Sequence, residues 1–148
     1  MAEILLDKGI RKIDIKDADG NITATLYVNT DDTSIPTRYY KVIDSLTDIE
    51  KEEEREKKKI DKEDLTETDR IIKLSNVRVT TIKKAIAELD SIFGVNAIEN
   101  VFADCRKINP DYLPTEYTLM SFLEGITPLM QEWFKEHQEK AYKKYGVK

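Results

Sequence analysis

The sequence is short of the residues on which most chemistry is built. It holds one cysteine, one histidine and one tryptophan among 148 residues. A lone thiol, Cys105, cannot close an internal disulfide, so no secreted disulfide framework can be drawn. Nucleophilic use of that cysteine would need a histidine beside it in space, and His137 is the one available. Cys105 falls on the apolar stripe of a short helical pattern and reads as a buried, inert thiol. One His and one Cys leave no pair at metal-ligand spacing, so no metal site is expected. The five glycines, Gly9, Gly20, Gly94, Gly125 and Gly146, are scattered singly. Neither a phosphate-cradling loop nor a dinucleotide fingerprint can be built from them.

Two further shortages bound the setting. No apolar run approaches the roughly 20 residues that span a bilayer. Met1 to Arg11 has no basic stretch leading into a long apolar one, so no signal peptide is read and the cytoplasm is expected. Charge of one sign is never concentrated: 24 basic and 29 acidic residues interleave to a net −5. A nucleic-acid surface would show a clustered Lys/Arg stripe. The most basic stretch, Lys140, Lys143, Lys144 and Lys148, sits where a helix would end, and cations there meet the negative end of its dipole. An enzyme of this size concentrates titratable groups in a cleft. With no such group in view, the expectation is a protein that is not an enzyme, with no cofactor and no membrane or nucleic-acid partner.

What the sequence does have is charge and helical periodicity. The charged share is 36% and the hydrophobic share 40%. The length fits one domain, and a chain of this size buries roughly 68–70% of its unfolded surface without a disulfide or metal. Lys12-Ile13-Asp14-Ile15-Lys16 alternates polar and apolar residues, as do Ile22, Ala24, Leu26 and Val28. Between them Asp17-Ala18-Asp19-Gly20-Asn21 supplies the residues of a tight hairpin turn. The same run resembles half of a calcium loop, but Ile15 breaks the ligand alternation and no closing Glu follows before Glu50.

The rest is helical in pattern. A polar cap at 31–34 and Pro36 open a helix carrying Tyr39, Tyr40, Val42, Ile43, Leu46 and Ile49. It runs into a Glu/Lys stretch, Glu50 to Lys59, with Glu53–Lys57 and Glu54–Lys58 four apart. That stretch offers nothing apolar to bury, so residues 50–65 are expected to be exposed or mobile. Thr66 to Asp69 restart a helix that ends at Gly94, with a weak β-branched region at 77–81 where a break or bend would be no surprise. Asn96 is read as the cap of a single short helix carrying Ala97, Ile98, Val101, Phe102, Cys105 and Ile108, stopped by Asn109-Pro110. Thr115 caps the last helix, whose stripe runs Leu119, Phe122, Leu123, Ile126, Leu129, Met130, Trp133 and Phe134, then more weakly His137, Ala141 and Tyr145. Pro128 lies inside that stripe and should bend it.

The expected fold is therefore mostly α with an N-terminal β-hairpin (α+β): about four helices in a small bundle and the hairpin lying on them. It is a single domain over 1–148, with the hairpin in 1–30 and the helical part in 35–148. Tyr39, Tyr40, Phe122, Met130, Trp133 and Phe134 read mostly as core. Together with Met120 they would also suit a groove for an apolar helix of a partner.

The opening Met1 to Lys12, the hairpin with its Asp-Gly-Asn turn, the helix led by Pro36 to Tyr40 and the Glu/Lys-rich helix resemble a family of tail assembly chaperones. These come from tailed phages and prophages of Gram-positive bacteria. The resemblance implies a protein that keeps the long tape measure helix soluble in the host cytoplasm until tail tube protein polymerises around it. It implies the tape measure protein as partner, the tail tube protein as a second, and self-association as an option. Individual binding residues do not transfer with it. Two other classes stay open. A structural tail component, such as a tube or completion protein, would pair hairpin edges between subunits. A small DNA-binding regulator would need a basic recognition helix, and in the helix after Gly94 the acids Glu99 and Asp104 offset Arg106 and Lys107.

Overall fold

A computed structural model describes the backbone of residues 2–145 and the side chains of residues 2–140. Ala141 and Tyr145 of the last stripe, and Lys143, Lys144 and Lys148 of the basic end, lie outside the described side chains.

The chain opens with strands β1 (Ile10–Lys16) and β2 (Ile22–Asn29), paired antiparallel. Asp17 makes the turn. Its carboxylate accepts the backbone N–H groups of Asp19 and Asn21, each at 3.0 Å, while Gly20 takes the positive φ of +83°. Ile13 stands opposite Leu26 and Ile15 opposite Ala24, and this face lies on the helices, burying Leu26 and Val28. Ile22 was expected on the same face and instead points outward, 59% exposed. The cause is a bulge: Lys16 pairs with Ile22, so Thr23 is the extra residue and every side chain beyond it changes face. Gly9 closes the hairpin base. Its carbonyl accepts the Thr30 N–H at 2.8 Å, and a Cβ added to it would come within 2.6 Å of Asp31.

Two helices of equal length follow, α1 (Ile35–Asp61) and α2 (Glu67–Phe93). They run antiparallel and in close backbone approach. Lys84 meets Glu52 at 3.2 Å, Lys73 meets Glu63 at 2.6 Å, and an Arg70 N–H donates to the Ile60 carbonyl at 3.0 Å. The Thr66 hydroxyl accepts the Asp69 N–H and caps α2. The break allowed for at 77–81 does not occur. Packing against α1 overrides the weak propensity of that region, and Thr80 turns its hydroxyl back to the Asn76 carbonyl at 3.0 Å.

The charged stretch of α1 also departs from expectation. It is unbroken helix, and although most of it faces water, Ile60 is buried and Glu53 is only 3% exposed. A segment read as having nothing to bury thus buries a carboxylate, which is possible because Lys57 supplies a cation one turn away at 2.7 Å.

After Gly94 the single short helix expected is two: α3 (Ala97–Val101) and α4 (Ala103–Ile108), separated at Phe102. Asn96 is not a side-chain cap. It sits in the left-handed region at φ +58°, and the Asp90 carboxylate accepts the Ile98 N–H at 2.9 Å instead. The break turns the second half of the stripe away from the core, leaving Cys105 half-buried rather than buried and Ile108 90% exposed. The last helix, α5 (Glu116–Tyr145), is capped by Thr115, whose hydroxyl accepts the Thr118 N–H at 3.2 Å, and it continues across Pro128. The architecture is mainly α with a small antiparallel hairpin, five helices among the described residues. No helix among them is long and apolar enough to cross a membrane.

One core draws on β2, α1, α2, α3 and α5 and centres on Val28, Tyr39, Leu89, Ile98 and Met130. Replacing Leu89 with Ala should cost about 2–5 kcal/mol in denaturant unfolding, the range for a fully buried leucine. Ile71→Ala, at a position 61% exposed, should stay within about 0.5 kcal/mol of the parent.

Candidate partner-binding groove

α5 lies antiparallel to α1 but stands off from it. The Tyr39 hydroxyl and the Thr127 hydroxyl form a hydrogen bond, and His137 reaches Asp31 at 3.4 Å. Between these points large rings carry the contact. Tyr39 meets Phe134 edge-on at 5.9 Å, and Phe122 meets Phe93 of α2 edge-on at the same distance. Burial pushes the Tyr39 phenol above its ordinary pKa, partly offset by the bond to Thr127.

The six residues expected to form a partner surface are therefore spread through this packing. Tyr39, Tyr40 and Phe134 form one ring cluster, with Tyr40 5.6 Å from Tyr39 and 6.2 Å from Phe134. Tyr39 and Met130 are fully buried, while Phe122, Trp133 and Phe134 are half-buried against the core; of the six, only Tyr40 is exposed. None of the six lines the apolar groove between α1, α2 and α5. That groove, of about 510 Å³, has no aromatic ring in its lining because Phe122 is engaged with Phe93. Ile43, Leu46 and Ile49 of α1, Ile82 and Ala85 of α2, and Leu119, Met120 and Leu123 of α5 form its apolar walls. Met120 is 53% exposed and Ile43, Leu46 and Ile49 are half-buried, while Ile82, Ala85, Leu119 and Leu123 form a buried floor.

The signal for this groove was in the pattern. On α1 the apolar positions 39, 42, 43, 46 and 49 make a stripe wider than one neighbouring helix covers, and Met120 falls beside Leu119 and Leu123 rather than on the solvent face.

The polar groups of the groove are all acids or hydroxyls: Glu50, Glu116, Glu124, Thr47, Thr81 and Thr127. Glu116 connects this rim to the buried Glu53. Burial works to raise the Glu53 carboxyl, but bonding from Glu116, Lys57 and Thr81 outweighs it and holds Glu53 below the ordinary carboxylate range. Glu116 moves the other way, raised first by its hydrogen bond to Glu53, then by burial and by the Glu53 charge. Lys57 is raised by its bond to Glu53. Oε2 of Glu53 has no donor facing it when all acids are ionised. Two carboxylates are both acceptors, so their contact becomes a hydrogen bond only when a proton sits between them. Of the two carboxyls Glu116 is the one raised, so it takes up that proton first as pH falls.

No group of three or more His, Cys, Asp or Glu side chains among the described residues is arranged to hold a metal ion. The lone histidine lies beside Asp31 and the lone cysteine beside Tyr112, whose phenol is raised by burial and by that thiol. No family model, no curated protein and no solved structure matches the chain.

Two outcomes follow from the carboxyl pair. Lys57→Met leaves Glu53 buried without its cation and should cost about 1–3 kcal/mol in chemical unfolding. Glu116 has a raised pKa in the fold, so its proton stabilises the fold at low pH and that contribution is lost as pH rises through the folded value. Glu116→Gln keeps a permanent donor to Glu53, so its melting temperature should exceed that of the parent at pH 8. The gap should close as pH falls through the ordinary carboxylate range, which a series of thermal melts would read.

Proposed function

We propose that this chain is a non-catalytic holding protein, a phage tail assembly chaperone that keeps an apolar helical segment of the tape measure protein soluble in the bacterial host cytoplasm until tail tube protein takes over. The observation that carries this reading is the open apolar groove between α1, α2 and α5, walled by aliphatic side chains and the exposed thioether of Met120. A groove of that kind takes one apolar face of a helix, and methionine adapts to whatever packs on it. The likeness of the N-terminal residues to the tail assembly chaperone family supplies the identity of the client. The supply of one histidine and one cysteine supports a role without catalysis.

A second reading rests on a different surface. Among the described residues the hairpin has two strands and no third on either edge, and Ile4, Leu5, Leu6, Ile10, Ile22 and Tyr27 around it are exposed. Edge pairing between copies would suit a structural tail component.

Co-expression with the tape measure protein of the same gene cluster separates the two. Under the chaperone reading the long partner becomes soluble and co-elutes, and Met120→Glu abolishes this while leaving the melting temperature of the chain unchanged. A long partner that stays insoluble, with this chain forming regular oligomers alone, would put the structural role first.

A further inference from the structure

The groove carries more information about its occupant than its apolar walls alone. Its rim is acidic, with Glu50 on α1 and Glu116 and Glu124 on α5, and no Lys, Arg or His among the residues that line it. Behind Glu116 lies Glu53, 97% buried by its 3% exposure, with one oxygen unpartnered. The charge count at this end is unbalanced. Two carboxyl groups, Glu53 and Glu116, face a single ammonium, Lys57, while Glu50 and Glu54 stand near on the same helix. From α2 the near groups are Thr81, a hydroxyl, and Arg78. Arg78 lies in the adjoining cleft, which Lys57, Tyr117 and Glu116 itself also line, and it is not among the charges that shift Glu116. Lys84, the other cation of α2 in this region, is engaged with Glu52.

A carboxyl in this position has two ways to lose its repulsion against Glu53: it takes up a proton, or it meets a second cation. The groove mouth is open on the Glu116 side, since this residue is exposed while Glu53 is not. An arriving ammonium or guanidinium would form a charge-assisted bond at the edge of an apolar surface, where such a bond is stronger than in bulk water.

We infer that the occupant of the groove is an amphipathic helix of basic character, its apolar face on Leu46, Ile82, Leu119 and Leu123 and a Lys or Arg side chain set against Glu116. The inference rests on the reading of the groove as the holding surface and adds the chemistry of what is held. The cation pairs with the Glu116 carboxylate and offsets its repulsion against Glu53. An acidic helix with the same apolar face is turned away by Glu50, Glu116 and Glu124 together. Selection is thus made by the rim while the walls accept any aliphatic stripe.

The test uses the full chain and two synthetic peptides of roughly 18 residues, about five helical turns. Both carry leucines at the same helical spacing, one with lysines and the other with glutamates on the flanks. Fluorescence anisotropy should show the lysine peptide binding at least about tenfold more tightly, because like charges placed together repel strongly. Raising salt should narrow that ratio. Glu116→Gln should weaken the lysine peptide by about three- to tenfold while leaving the glutamate peptide unchanged or slightly improved. Glu54→Gln, at a neighbouring acid outside the groove lining, should leave both alone. Equal binding of the two peptides, or a lysine peptide indifferent to Glu116→Gln, overturns the inference. So does sedimentation showing that the chain alone pairs through the groove, with Met120→Glu making it monomeric, because a second copy would then be the occupant. If neither peptide binds but the tape measure protein is still held soluble, the inference fails and the holding role stands. If the lysine peptide binds as described but the long partner is not held, the inference stands and the client assignment fails.

Discussion

The distance at which α5 is held from the α1–α2 pair sets most of what this molecule can do. α1 and α2 approach each other closely along their backbones and are tied by ion pairs from Glu52 to Lys84 and from Glu63 to Lys73. α5 is joined to them through rings. Tyr39 against Phe134 and Phe93 against Phe122 each span 5.9 Å between centroids, a separation at which edge-on pairs add about 0.5–1.5 kcal/mol beyond their buried area. The walls of the groove, from Ile43 to Ile49 of α1 and at Leu119, Met120 and Leu123 of α5, are aliphatic side chains and a thioether, while Phe122 of the same turn is engaged with Phe93 of α2.

The same spacing places Glu116 beside Glu53. A buried carboxylate costs several kcal/mol of lost hydration, and a well-packed apolar residue in its place is often neutral or better for stability. Glu53 is held by Lys57 at 2.7 Å and by Thr81, and Glu116 adds a bond when it is protonated. A fold selected for stability alone would have little use for this arrangement. Its position at the end of an apolar groove, on the one helix that stands off, ties the cost to a surface and not to the core. Half-satisfied polar groups in a native fold are where function is to be sought.

Much of the architecture was legible in the residues. The hairpin announced itself through Asp17 to Asn21, and the helix ends through Thr66, Gly94 and Thr115, because caps and turns are local events that local sequence decides. Three readings failed for reasons that are not local. Ile22 left the inward face because one extra residue, Thr23, entered β2, and periodicity cannot see a bulge. The β-branched region at 77–81 stayed helical because α1 packs on it. Glu53 was invisible within a run of ten charged residues, since its burial comes from α2 and from the start of α5, more than 60 positions away in the case of Glu116. The candidate surface shows the same division. Aromatic residues drew the eye as partner contacts, yet Tyr39 and Met130 proved to be interior. The groove is built from ordinary aliphatic positions that only the spacing of three helices brings together.

The two exposed surfaces of the molecule are not equally suited to a partner. The hairpin edge is guarded. Lys12 lies over the Tyr27 ring at 5.7 Å, Asp14 accepts a bond from Thr25, and Arg11 and Lys16 add charge along β1. Charged side chains on a short, bulged strand are the devices by which natural sheets avoid pairing with a neighbour. The groove has no such protection across its walls. Its charges stand on the rim and are of one sign, which leaves the apolar floor open to a helix while excluding a second acidic surface. A chain with a net charge of −5 therefore repels copies of itself at that rim more readily than it repels a basic client. The physical contrast between a defended edge and an undefended groove is what places recognition on the helices and leaves the hairpin to cover the core.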